Sequence, residues 1–215
     1  MVIENLPFLK EGIKVHYEGS IDKKGYNADW DWYLYKDGEE WVIFDVDGPG
    51  CIYNFVQHRY PTSPEPTFKF YFDGEKKPSY SIKHSEFGNK KPFIRPLADY
   101  YLGPSDGGRG PIRVVRSFVP MNYRKRCKIT STVKLTGNKK SKGEGGWGHV
   151  IYHSYATENN LETFNIKNNY DNYHNKWNNI TKDPKSTVGN IMITDKFSKI
   201  PVESAKTIYN RCGKE

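Results

Sequence analysis

The densest run of residues able to do chemistry is Ser20-Ile-Asp-Lys-Lys-Gly-Tyr-Asn-Ala-Asp-Trp-Asp-Trp-Tyr33. Asp29 and Asp31 stand two apart, as do Trp30 and Trp32. On an extended strand each pair shares a face, with Cα atoms roughly 6.6 Å apart. Carboxylates and the Asn27 amide beside an exposed indole suit a sugar. Its hydroxyls would bond the polar groups while a C–H face stacks on the ring. Asn27, Asp29, Trp30 and Asp31 are therefore the candidate substrate-binding residues. The competing structural reading buries the tryptophans in a core and gives the carboxylates loop amides to bond.

A second pair, Asp45 and Asp47, also shares a strand face, just before Gly48-Pro49-Gly50. A retaining glycosidase needs two carboxyls about 5–5.5 Å apart and an inverting one about 6.5–9.5 Å. The spacing permits a pair, but Asp before Gly-Pro reads first as turn chemistry. His149 and His153, four apart in a strand-like context, share a face yet lie too far apart to chelate easily. We therefore expect no metal site and no cofactor. Cys127 sits within a strand candidate and reads as buried rather than nucleophilic. Gly107-Gly-Arg-Gly110 lacks the Lys-Ser/Thr ending of a phosphate loop.

Residues Met121–Lys142 hold Arg124, Lys125, Arg126, Lys128, Lys134, Lys139, Lys140 and Lys142 and no acid, within a chain of net charge +8. A nucleic-acid surface is the reading to test against. The run crosses strand candidates, however, where alternation divides charges between faces, and edge strands carry Lys to block unwanted pairing. Nucleic acid is set behind carbohydrate for that reason.

These residues must be positioned by strands. Glu40–Asp47, Cys51–His58, Thr67–Asp73, Ile112–Val119, Cys127–Leu135 and His149–Tyr155 read as strands, with Phe68, Phe70 and Phe72 on one face. Asp73-Gly74 supplies a hairpin-type turn, and Gly103–Gly110 and Gly137–Gly148 read as loops. Helical periodicity is scarce, and Val202–Tyr209 is the best short candidate. Many short strands joined by Gly/Pro/Asn turns predict an all-β fold, an antiparallel jelly-roll β-sandwich with few short helices. Aromatics make up 15% of the chain, which argues for a packed core rather than disorder. The domain is expected over residues 1–160. Residues 161–215, rich in Asn, Lys and Tyr from Asn165 to Asn190, are expected as a polar excursion or linker. No apolar stretch is long enough for a membrane span. Met1-Val-Ile-Glu-Asn-Leu-Pro7 carries no basic start or apolar stretch of a secretory signal, so a cytoplasmic location is expected.

Taken in order, the segments resemble a known family. They are Ser20-x-Asp22-x-x-Gly25-x-Asn27-x-Asp29-Trp30, Phe44-Asp-Val-Asp-Gly-Pro-Gly-Cys-Ile52, Phe70-Tyr-Phe-Asp-Gly-Glu-Lys-Lys-Pro-Ser79, Ser117-Phe-Val-Pro-Met-Asn-Tyr-Arg-Lys-Arg-Cys-Lys-Ile-Thr130 and His149-Val-Ile-Tyr-His-Ser-Tyr155. Together they are similar to glycoside hydrolase family 172, from about Glu18 to Tyr155. The resemblance implies two jelly rolls per subunit, assembly into trimers or hexamers, and action on furanosides as an α-D-fructofuranosidase or D-arabinofuranosidase. It carries Asn27, Asp29 and Trp30 over as contributors to the sugar pocket. The family's catalytic glutamates lie in a Gly-Glu-Gly-Glu and a Gly-Thr-Glu-Asp-Tyr segment of the second half, and neither occurs here. No catalytic residue is assigned on this basis. The expectation is the N-terminal half of a retaining furanoside hydrolase, inactive alone, whose partners are a furanoside and either further copies of itself or a complementary C-terminal half. The alternatives are a non-catalytic carbohydrate-binding or trimer-forming jelly roll and, third, a basic capsid-like or nucleic-acid-binding one.

Overall fold

The computed structural model describes residues 11–21, 31–105, 110–136, 146–158 and 160–179. Along them run β1 (Ile13–Gly19), β2 (Tyr35–Asp37), β3 (Glu40–Asp47), β4 (Gly50–Arg59), β5 (Thr67–Phe72), β6 (Tyr80–Lys83), β7 (Asn89–Lys90), β8 (Phe93–Ile94), β9 (Ala98–Ser105), β10 (Pro111–Ser117), β11 (Met121–Tyr123), β12 (Arg126–Ser131), β13 (Gly146–Tyr155) and the helix α1 (Asp171–Asn178). One sheet has the order β1-β13-β4-β10-β9, with β11 also on β4, and the other has β2-β3-β12-β5-β6. The named strands of both pair antiparallel. Set aside β2, β9 and the short β7, β8 and β11, and number the remaining strands along the chain. The sheets then read 1-8-3-6 and 2-7-4-5, which is the strand order of a jelly roll.

Period-two patterning explains the packing. In β5 the residues Phe68, Phe70 and Phe72 point inward with at most 1% exposure, while Lys69 and Tyr71 point out. Phe55 from β4 meets them across the sandwich, edge-on to Phe68 at 5.0 Å and stacked on Phe87 at 5.8 Å. Each fully buried ring of this kind contributes about 2–3 kcal/mol of transfer free energy. The turn after β5 differs from a two-residue hairpin. Asp73 and Gly74 do take positive φ (54° and 85°), but the loop continues to Ser79 before β6 begins. The reason lies across the molecule: the Asp73 carboxylate accepts the backbone N–H groups of Arg124 (2.8 Å) and Lys125 (2.6 Å), tying this loop to the entrance of β12.

The stretch expected to end as a loop at Gly148 instead enters β13 at Gly146. Gly148 is required there, because a Cβ would sit 2.4 Å from the Trp32 ring and 2.2 Å from the Val56 carbonyl oxygen. Gly148→Ala is expected to cost about 3 kcal/mol, the upper part of the overpacking range, read as a lowered urea midpoint. An unchanged midpoint would mean that the indole does not lie over this strand.

Beyond β13 the chain keeps packing on the sandwich. Phe164 and Tyr170 join the core cluster, and Trp177 of α1 stacks on Phe118 at 4.6 Å. A boundary at residue 160 therefore separates these aromatics from the core that they close. Within the stretch expected as a polar excursion, the structure places an α-helix anchored by rings rather than by aliphatic side chains. Val202–Tyr209 lies outside the described residues, and no helix among those described is long and apolar enough to cross a membrane.

Candidate functional site

Of the four residues singled out for sugar contact, Asn27, Asp29 and Trp30 lie outside the described residues, and Asp31 is the first described residue after them. Asp31 is exposed, and its carboxylate accepts a hydrogen bond from the Thr136 hydroxyl. The next residue turns the other way. The Trp32 backbone N–H donates to the Leu135 carbonyl at 2.7 Å, and the residue is 2% exposed, its ring 5.7 Å from that of Phe55. The core reading thus holds for Trp32, whereas Asp31 faces solvent.

Tyr33, the residue after Trp32, is only partly buried. Its ring meets Trp41 of β3 edge-on at 5.4 Å, and both rings are half-buried. The Lys134 ammonium stands 4.5 Å from the Tyr33 centroid and 4.9 Å from that of Trp41, within cation–π range. Lys36 approaches Trp41 at 5.8 Å. One edge of the sandwich therefore presents a carboxylate, a hydroxyl, two aromatic rings and two ammonium groups. These are the group types that bond hydroxyls and stack on a sugar's C–H face. Tyr33 was within reach of the sequence, being two residues from Asp31. Trp41, Lys134 and Thr136 were not, since strand pairing alone brings them there.

The Asp45/Asp47 pair does not form a working couple. Arg126 grips Asp45 with both prongs, Nε at 2.7 Å and Nη2 at 2.5 Å, and the Tyr35 hydroxyl donates to the same carboxylate. Burial alone would raise the Asp45 pKa, but these donors outweigh it and hold it below the ordinary value. Glu40 is treated likewise: burial pushes up, and hydrogen bonds from Lys69, Thr130 and Tyr71 bring it down. Asp73 is lowered because bonds from Thr163 and the backbone of Lys125, Arg124 and Arg126 outweigh its burial. Glu86 is lowered chiefly by the Lys83 backbone N–H.

The basic run is divided among separate partners. Arg124 pairs with Glu158 at 3.1 Å, Arg126 with Asp45 and Lys128 with Asp37 at 2.8 Å. Lys139, Lys140 and Lys142 lie outside the described residues. His149 and His153 face outward from β13 and are engaged separately, His149 with the Asn54 side-chain oxygen at 3.1 Å and stacked on Tyr17, His153 against Tyr53 at 4.4 Å. Cys51 and Cys127 are both fully buried. Desolvation pushes the Cys51 thiol up to about 12 and that of Cys127 well up, far from a reactive thiolate.

Strand order and this core define the class: a jelly-roll β-sandwich domain. The particular family follows from comparison with known protein families, in which residues 11–172 match the GH172 first beta-sandwich domain. The chain belongs to the GH172 family and contains its first β-sandwich domain. No curated protein matches it.

Proposed function

We propose that this chain is the substrate-contacting, non-cleaving part of a GH172 furanoside hydrolase of the retaining type, acting with catalytic carboxylates supplied from outside the described residues. The state of its own carboxylates carries the reading. A retaining mechanism needs a carboxylic acid held protonated near neutrality beside an ionised one. The four described carboxylates that depart from their ordinary values, Glu40, Asp45, Asp73 and Glu86, are all pulled the opposite way. They serve as ion-pair and loop anchors, not as proton donors. The edge formed by Asp31, Tyr33, Trp41 and Thr136 supplies the sugar contacts among the described residues.

The test is to offer the purified chain a panel of α- and β-D-fructofuranosides and arabinofuranosides. The expected result is binding without turnover, seen as a shift of the Trp41 indole N–H resonance. Tyr33→Ala should weaken that binding about tenfold, or about 1.4 kcal/mol, with an unchanged unfolding midpoint. Turnover by the chain alone, or a Trp41 signal indifferent to every sugar, would overturn the reading.

A further inference from the structure

On a different part of the domain, α1, the segment 166–170 that precedes it and residues 91–95 enclose a concavity of about 410 Å³. It is built from none of the residues around Asp31. Asp171, His174 and Asn178 occupy positions i, i+3 and i+7 of α1, so they form one stripe of the helix, and all three line the concavity. Asn168 and Asn169 add two amides from the turn that precedes the helix. Opposite stand Lys91 and Arg95, with Pro92 and Ile94 between them, and Ile166 supplies apolar surface.

The walls are held in place by packing and by bonds outside the concavity. Tyr170, at the start of α1, is buried against Phe164, and Trp177 pins the helix to Phe118. The Asn169 side-chain oxygen accepts the Asp171 N–H at 2.7 Å, which fixes the turn into the helix and leaves the Asn169 NH₂ for other partners. The Tyr80 hydroxyl donates to the Lys91 carbonyl at 2.6 Å, fixing the opposite wall.

The lining selects a ligand class. Amides both donate and accept, Asp171 accepts, and Lys91 donates, so the site matches groups that do both, as hydroxyls do. An anion would only accept and would face the Asp171 carboxylate. The cationic side is weakened further because Arg95 is already bound to Asp99 at 2.6 Å. Ile94, Ile166 and Pro92 provide a face for C–H groups. The volume falls near the lower end of the roughly 300–1,000 Å³ typical of small-molecule sites. We infer that the concavity between α1 and residues 91–95 binds a neutral polyol of mono- to disaccharide size.

The experiment is a titration of the ¹⁵N-labelled full chain with D-fructose, sorbitol, sucrose and, separately, inorganic phosphate. A sugar or polyol should shift the side-chain amides of Asn168, Asn169 and Asn178 and the His174 ring. Asn178→Ala and His174→Ala should each weaken binding about tenfold, while Tyr33→Ala leaves it unchanged. Asn178 is exposed and His174 half-buried, so both variants should keep the wild-type unfolding midpoint. Ile94→Asp, which removes the C–H face, gives a second reading of the same site. The inference is overturned if none of the three polyols moves these resonances, if phosphate moves them more strongly, or if both α1 variants bind as the wild type does. Shifts confined to the Trp41 edge would sink this inference while sparing the proposed function. Shifts confined to α1 would do the reverse.

Discussion

Phe55→Ala should cost this domain about 3–5 kcal/mol, the range for removing a buried aromatic ring from a packed core. Phe55 has no exposed surface and touches four rings from three other parts of the chain: Trp32, Phe68 and Phe70 of β5, and Phe87. Those rings come from β5 of the facing sheet, from the segment that precedes β2 and from the connection after β6, so they cannot all close over the gap together. Against a typical total of roughly 5–15 kcal/mol, the variant should sit near the edge of folding. Urea denaturation followed by near-UV dichroism would show it as a much lower midpoint or as lost tertiary signal. A loss under about 1 kcal/mol would mean that the two sheets do not meet at this residue.

The second large effect is a loss of stability in acid, carried by His84. The ring is fully buried, edge-on to Tyr100 at 5.6 Å. Burial, with the Arg59 guanidinium adding to it, brings its pKa down from 6.5 to about 3. In the unfolded chain His84 takes up its proton near 6.5. Between the two values the unfolded state holds the extra proton, so stability falls as pH falls. The contribution is complete above pH 6.5, shrinks through the interval and is gone below about 3. A separation of this size corresponds to on the order of 5 kcal/mol. His58, lowered to about 4 chiefly by burial, acts in the same direction over a shorter interval. Glu40, Asp45, Asp73 and Glu86 add a further loss below their ordinary values of 3.8 to 4.5, because each is held ionised in the folded state. Stability measured by urea between pH 7 and 4 should therefore fall steadily. In His84→Leu the slope should drop by close to one proton. An identical slope in the variant would show that His84 does not stay neutral in the folded domain.

Much of the fold could be read from the chain because the strands obey period two. Thr67–Phe72 alternates so cleanly that its buried face was evident, and β3 begins and ends where the pattern does, at Glu40 and Asp47. The ordered motifs around Gly48-Pro49-Gly50 and Ser117–Thr130 led to the family by resemblance, and the match over residues 11–172 places the chain there. The helix α1 was missed because its sequence, Asp-Asn-Tyr-His-Asn-Lys-Trp-Asn, has no aliphatic stripe; it is held by Tyr170 and Trp177 against rings distant in the chain.

What the sequence by itself determined is whatever depends on near neighbours: which residues alternate within the strands and where glycine and proline turn the chain. What only the tertiary structure decided is what each side chain meets. Asp45 looked available as half of a carboxylate pair until β12 laid Arg126 across it, 81 residues away. Tyr33 became part of a candidate sugar-contacting edge only because Trp41 and Lys134 arrive on other segments. The physical reason is that hydrogen bonds and ring contacts act over a few ångströms in space, and in a jelly roll nearly every such contact joins strands far apart in the chain.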